Sequence, residues 1–195
     1  MIGKWHMGEG PQHQPRDFDY WDVVPGQGDY YDPMFINAAG RCREKGYATD
    51  VITDKTINFI ENRDKDRPFF IMCHHKAPHR PWQCDPKHKH LYRENIKLPE
   101  TFDDDYKNRA KAAAAAKMRI ASDMTYEDLG LVQPEGGDEV GDLNIPFLPF
   151  LKTRKIPNPE DVTKMVLIDN DTGENFRFKT REELRYAYLE TRMAC

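Results

Sequence analysis

The stretch Arg67-Pro-Phe-Phe-Ile-Met-Cys-His-His-Lys-Ala-Pro-His-Arg-Pro-Trp82 constrains the fold more than any other. Its apolar half, Phe69 to Cys73, is continuous rather than alternating and follows a Pro. A run of that kind suits a strand covered on both faces, as in a parallel sheet. Just upstream, Thr49 to Arg63 carries Ile52, Thr56, Phe59 and Ile60 at helical spacing, with Thr49 or Asp50 as a cap. Helix followed by buried strand is part of an α/β unit. The C-terminal end of a parallel strand faces the functional crevice of an open α/β sheet. Here that end carries His74, His75, Lys76, His79 and Arg80. Such a set of cationic donors suits an anion: a sulfate, a phosphate or a carboxylate.

Elsewhere the signals are quieter. Residues 1–47 hold many Gly, Pro, Asp and aromatic residues with little periodicity, and read as a long ordered loop. Within them, Gly3-Lys-Trp-His-Met-Gly8 brackets a Lys and a His between glycines. In an extended segment, alternation puts Lys4 and His6 on one side and Trp5 on the other. Residues 83–104 read as loop. Tyr106 to Ile120 is a helix by propensity, with five alanines in a row. Residues 122–160 read as loop again. Lys164 to Thr180 reads as a hairpin turning at Asn170-Asp-Thr-Gly173. Thr180 and Glu183 form a capping-box pattern for a helix that runs to residue 195.

Composition narrows the function. The chain has 195 residues, enough for one ordinary domain, yet only 38% are hydrophobic and the mean hydropathy is −0.84. The net charge is −4 and the basic residues are scattered, so no nucleic-acid stripe and no polybasic membrane patch stands out. No apolar run approaches the length needed to span a bilayer, and Met1 to His6 is not a signal peptide. Cys42, Cys73, Cys84 and Cys195 show no C-x-x-C spacing and are too sparse for a disulfide scaffold. Ser122 is the single serine, which speaks against a G-x-S-x-G hydrolase.

Taken together, "GKWHMG" and "RPFFIMCHHKAPHRPW" strongly resemble the type I sulfatases of the alkaline-phosphatase superfamily. The segments "DFDYWDVVPGQG" and "LPETFDDDYKNRA" fit the same pattern, the second as in bacterial sulfatases acting on sulfated sugars. The likeness covers most of residues 3–120; residues 121–179 fit as a loop and hairpin insertion, and residues 180–195 as the start of a helix. The resemblance implies a partial sulfatase-like α/β sheet flanked by helices, and a sulfated sugar or other sulfate ester as partner, with no nucleic acid or membrane. It implies that Lys4 contacts the sulfate ester, that His6 bonds the aldehyde-hydrate nucleophile and helps collapse the covalent intermediate, and that His79 lies near the bridging oxygen. His75, Lys76, Arg80 and Trp82 are the accompanying substrate-binding candidates.

The chain departs from the family in two places. The nucleophile is a cysteine in C-x-P-S-R or C-x-A-S-R, oxidised to formylglycine, and none of the four cysteines sits in that context. The family calcium needs an early acidic pair and a later Asp-Asn or Asp-His pair. Asp169-Asn170 offers itself for the second, but Asn, Asp and Gly are equally the residues of a hairpin turn. The sequence thus reads as an internal piece of a sulfatase catalytic domain. Formylglycine and calcium are expected in a full-length parent, which would be periplasmic or extracellular, and no metal ligands are assigned here. Three alternatives stay open. One is a phosphodiesterase or phosphonate hydrolase of the same superfamily. Another is a zinc module built from Cys73, His74, His75, His79, Cys84, His88 and His90. The third is a non-enzymatic interaction protein.

Overall fold

A computed structural model describes residues 1–88, 91, 97, 99–116, 119, 123–134, 139–142, 152–154, 156, 161–170 and 172–184. The chain divides into two compact units, Met1–His79 and Arg80–Cys195.

The first unit is a mixed five-stranded sheet with one helix. β1 (Ile2–Lys4) lies parallel to both β2 (Asp22–Val24) and β5 (Cys73–His74). β3 (Met34–Asn37) and β4 (Gly40–Arg43) continue it antiparallel, giving the order β4-β3-β2-β1-β5. Residues 1–47 are therefore not one long loop. Their strands are three or four residues long, too short for a period to show against the glycines and prolines between them.

Helix α1 (Ala48–Asn62) agrees with the predicted helix to within a residue. The cap position itself is taken by neither Thr49 nor Asp50, and Asp50 lies in the first turn. Tyr47 occupies the cap position without a side-chain bond, and the Ala48 amide donates to the Tyr30 carbonyl at 2.8 Å. Ile52 is fully buried and clusters with Ile2, Val24 and Phe35, and Phe59 packs at the edge of this cluster. Thr56 Oγ1 donates to Cys73 Sγ at 3.3 Å, so the predicted helix face is the one that covers β1 and β5. Behind it, Lys55 Nζ reaches Asp22 at 2.7 Å and Glu44 at 2.9 Å, tying α1 to β2 and to the segment after β4.

The apolar run before the histidines needs a correction. Only Cys73 and His74 pair as a strand, and Phe69 and Phe70 are 46% and 79% exposed. The parallel pairing is as predicted, its partner being β1, whereas burial on both faces is not, because pairing begins only at the end of the run. Gly3 explains how close the two strands come. Its φ is +96°, and a Cβ there would lie 2.0 Å from the His74 carbonyl oxygen. Only glycine permits that backbone and that approach.

In the second unit, the described part of the predicted helix is α2 (Lys111–Ala115), and Tyr106 and Asn108 before it have φ of +58° and +60°; residues 117, 118 and 120 lie outside the described residues. Alanine propensity alone does not sustain a helix without an apolar face to bury. β6 (Glu139–Asp142) and β7 (Lys152–Arg154) form an antiparallel pair inside the segment predicted as loop. The later hairpin is as predicted: β8 (Leu167–Ile168) pairs with β9 (Asn175–Phe176). At its turn Thr172 N donates to Asp169 Oδ1 at 2.8 Å and Gly173 N to the Asp169 carbonyl at 2.9 Å, so Asp169 serves the turn. Residues 181–184 are helical behind the predicted cap, with Glu183 N donating to Thr180 Oγ1 at 3.1 Å. The rest of that predicted helix, 185–195, lies outside the described residues. Among the described residues no helix is long and apolar enough to cross a membrane.

Candidate functional site

β1 and β2 run parallel, so their C-terminal ends emerge side by side, at Lys4 and Val24. After β2 the chain turns at Pro25-Gly-Gln-Gly28, closed by Gly28 N donating to the Pro25 carbonyl at 3.2 Å. Gly26 and Gly28 take φ of +55° and +68°, and a Cβ on Gly28 would sit 2.4 Å from Val24 Cγ1. This turn carries Gln27 back toward β1. Lys4 Nζ donates to Gln27 Oε1 at 2.5 Å, and Gln27 Nε2 lies 3.1 Å from His6 Nε2. Lys4 and His6 therefore meet on one side, as alternation predicts, although His6 itself has left the strand at φ +51°. Trp5 turns away from them, its Nε1 donating to the His13 carbonyl at 2.6 Å.

From the other neighbour of β1, the loop after β5 brings Lys76 to the same place. Lys76 is buried, its Nζ donates to the Gln27 carbonyl at 3.2 Å, and it stands 4.5 Å above the Tyr30 ring. Burial, and then the charge of Lys4, push the Lys76 ammonium down to about 8, with Asp29 acting the other way. Lys4 is also lowered by desolvation. Two ammonium groups are thus crowded beside a polar turn, an arrangement that an incoming anion would relieve.

His79 is placed by its backbone. Its amide donates to the Lys76 carbonyl at 3.1 Å, and its own carbonyl accepts from the Tyr30 hydroxyl at 2.7 Å. His75 is exposed, its Nε2 3.7 Å from Cys73 Sγ. His74 reaches back, Nδ1 to the Lys4 carbonyl at 3.3 Å, and helps hold the end of β1. Of the remaining candidates, Arg80 Nε pairs with Asp128 at 2.8 Å inside the second unit, where Asp128 is only 1% exposed. Trp82 is 3% exposed and belongs to that unit's core with Met124, Tyr126 and Leu129. Its indole is a packing element, so the structure gives Trp82 no surface for a substrate.

Gln27 and Tyr30 escaped the sequence reading. The signal available was a polar residue bracketed by glycines, Gly26-Gln-Gly28, immediately after a short strand.

A metal centre does not emerge from these groups. Among the described residues no set of three or more His, Cys, Asp or Glu is placed to hold an ion. That disfavours the zinc arrangement for its described members; His90 lies outside the described residues. The calcium implied by the resemblance likewise finds no ligand set among the described residues, and formylglycine finds no cysteine in the required context.

Comparison with known proteins places these features. A sequence model of the sulfatase family matches residues 1–117. An N-acetylglucosamine-6-O-sulfatase of Bacteroides thetaiotaomicron is 48% identical over 140 residues, which are 69% of this chain and 24% of that protein. The human N-acetylglucosamine-6-sulfatase is 28% identical over 96 residues, 46% of this chain and 17% of the relative. A solved structure, described as a complex with its substrate D-glucosamine-2-N,6-O-disulfate, matches with a TM-score of 0.58 at 46% identity, covering 69% of this chain and 27% of that one. The chain thus spans about a quarter or less of the length of these relatives.

Proposed function

This chain belongs to the sulfatase family, and on that premise we propose that its first unit supplies the lysine–histidine half of a site that binds and hydrolyses sulfate esters of sugars. The observation that carries the reading is the meeting of Lys4, His6 and Lys76 on one residue, Gln27, at the C-terminal ends of neighbouring parallel strands. A sulfate ester carries its charge on the non-bridging oxygens, and charge develops on the bridging oxygen as the S–O bond to the sugar breaks. Lys4 and Lys76 are fixed cations for the first. One such donor is worth about 2.7–4 kcal/mol in comparable oxyanion sites. His79 is the candidate to protonate the departing sugar oxygen, a task for which an imidazole suits near-neutral pH and which contributes about 10²–10⁴-fold. His6 is the candidate to act on the nucleophile's side, and His75 to touch the sugar. An amino sugar bearing a 6-sulfate is the substrate class, on the strength of the 48% and 46% identical relatives.

Family chemistry also uses a formylglycine nucleophile and calcium. The residues of this chain do not fit either, so the roles proposed here stop at binding the sulfate, orienting it and moving protons.

Titration calorimetry with glucosamine 6-sulfate tests the reading. Binding that glucosamine does not reproduce, and that Lys4→Met weakens at least about tenfold, is the expected result; equal binding of both sugars would refute it. In an aryl sulfate assay with calcium at high protein concentration, the isolated chain is expected to show no turnover. Calcium-dependent hydrolysis that His79→Ala abolishes would contradict that expectation.

A further inference from the structure

Gln27 makes an arrangement that the roles above leave unexplained. An ammonium only donates, so the Gln27 atom at 2.5 Å from Lys4 Nζ is the carboxamide oxygen. The other end of the carboxamide is then NH₂, which also only donates. It faces His6 Nε2 at 3.1 Å. His6 Nε2 must accept, which requires an unprotonated Nε2 and places the ring proton on Nδ1. The same residue takes up Lys76 through its backbone carbonyl.

We propose that Gln27 is a positioning residue of this site: through one carboxamide it fixes the separation of Lys4 and His6 and holds His6 as the neutral Nδ1–H tautomer, with the Nε2 lone pair on the side of Lys4. The proposal assigns each group a proton inventory. Lys4 keeps the N–H groups not used on Gln27 for an anion, since an ammonium has three and among the described residues Gln27 is its one side-chain partner. His6 presents Nε2 as an acceptor and Nδ1–H as a donor, so it is set to take a proton at Nε2 only as the Gln27 contact opens. The turn that carries Gln27 is itself constrained, by Gly26 and Gly28 at positive φ and by the bond from Gly28 N to Pro25. A carboxamide on such a turn holds its two partners without adding charge between two ammonium groups, which a carboxylate at the same place would do.

Site-resolved ¹⁵N–¹H correlation spectra of the imidazole rings test this on the 195-residue chain, without substrate, metal or turnover. The pH is set about two units above the ordinary histidine range, and the His6 signals are assigned by their loss in His6→Gln. The wild-type chain is expected to show His6 with Nε2 unprotonated and Nδ1 protonated. Gln27→Glu keeps an acceptor for Lys4 but can only accept from His6, so the two ring nitrogens should exchange their protonation pattern. Gln27→Ala should lose the fixed tautomer. The His74 signals should stay where they are in both variants, which separates a local effect from a misfolded chain. A wild-type His6 protonated at Nε2 overturns the proposal, whatever the variants do. So does an unchanged His6 pattern in Gln27→Glu. The proposal rests on the sulfate-ester reading only for its place in a reaction. If the tautomer is as stated but glucosamine 6-sulfate does not bind, the sulfate reading fails and the role of Gln27 toward His6 stands.

Discussion

The buried Lys76 ammonium makes a quantitative prediction about anion binding. It is held at about 8 by burial and by Lys4, against an ordinary lysine value of about 10.4. Below about 8 it is a cation and attracts a sulfate; above that it is neutral and does not. A hydrogen bond to a charged group contributes about 1.5–3 kcal/mol, which is roughly a tenfold to 150-fold effect on affinity. By linkage, a bound sulfate raises the Lys76 value by the same factor, about one to two units. Affinity for glucosamine 6-sulfate should therefore be level up to about pH 8, fall by roughly one to two decades over the next one to two units, and level off again. Folding stability moves the opposite way. Burial penalises the charged lysine in the folded state, so the unfolded chain binds more protons between about 8 and 10.4, and stability should rise with pH there. Calorimetric titrations at closely spaced pH, with urea unfolding at the same points, measure both. Lys76→Met should remove both the break near pH 8 and the rise in stability. A break that persists in Lys76→Met, or its absence below about pH 10 in the wild type, would refute the reasoning.

Other perturbations follow from the packing. Lys55→Met leaves the buried Asp22 carboxylate without its 2.7 Å partner and should cost about 3 kcal/mol, seen as a drop in urea midpoint of the first unit of about 1–3 M. Adding Asp22→Asn should restore much of it, because the unpaired charge rather than the lost contact is the cost. Gly3→Ala puts a Cβ 2.0 Å from the His74 carbonyl at a φ of +96° and should destabilise the β1–β5 pairing by at least about 3 kcal/mol, visible as loss of amide protection in both strands. Thr180→Ala removes the acceptor for Glu183 N and should lower the unfolding midpoint of the second unit by the equivalent of about 1 kcal/mol.

What was legible in the sequence was carried by local pattern or by chemistry concentrated in a short segment. α1 announced itself by periodicity, and its predicted face is the one packed on β1 and β5. The hairpin at 167–176 announced itself by turn residues that bond their own backbone. Lys76 stood out because basic residues gather where the predicted strand ends, and Lys4 and His6 because glycines bracket them in Gly3-Lys-Trp-His-Met-Gly8. Their meeting depends on contacts across 21 to 49 positions, and no window of residues reports those. The short strands of residues 1–47 were missed because a period cannot be read from three residues, and pairing with distant neighbours is what makes them strands. Phe69 and Phe70 misled because hydrophobicity states a preference for burial, while the sheet pairs only from Cys73 onward. Trp82 misled because an aromatic beside a histidine loop looks the same whether it faces a ligand or a core. The sequence alone determined which chemical groups this protein owns and which short elements could form. Tertiary structure alone decided which of those groups share a place, because direction in space comes from strand pairing and from turns such as Pro25–Gly28, where one glutamine is brought within reach of two lysines and a histidine.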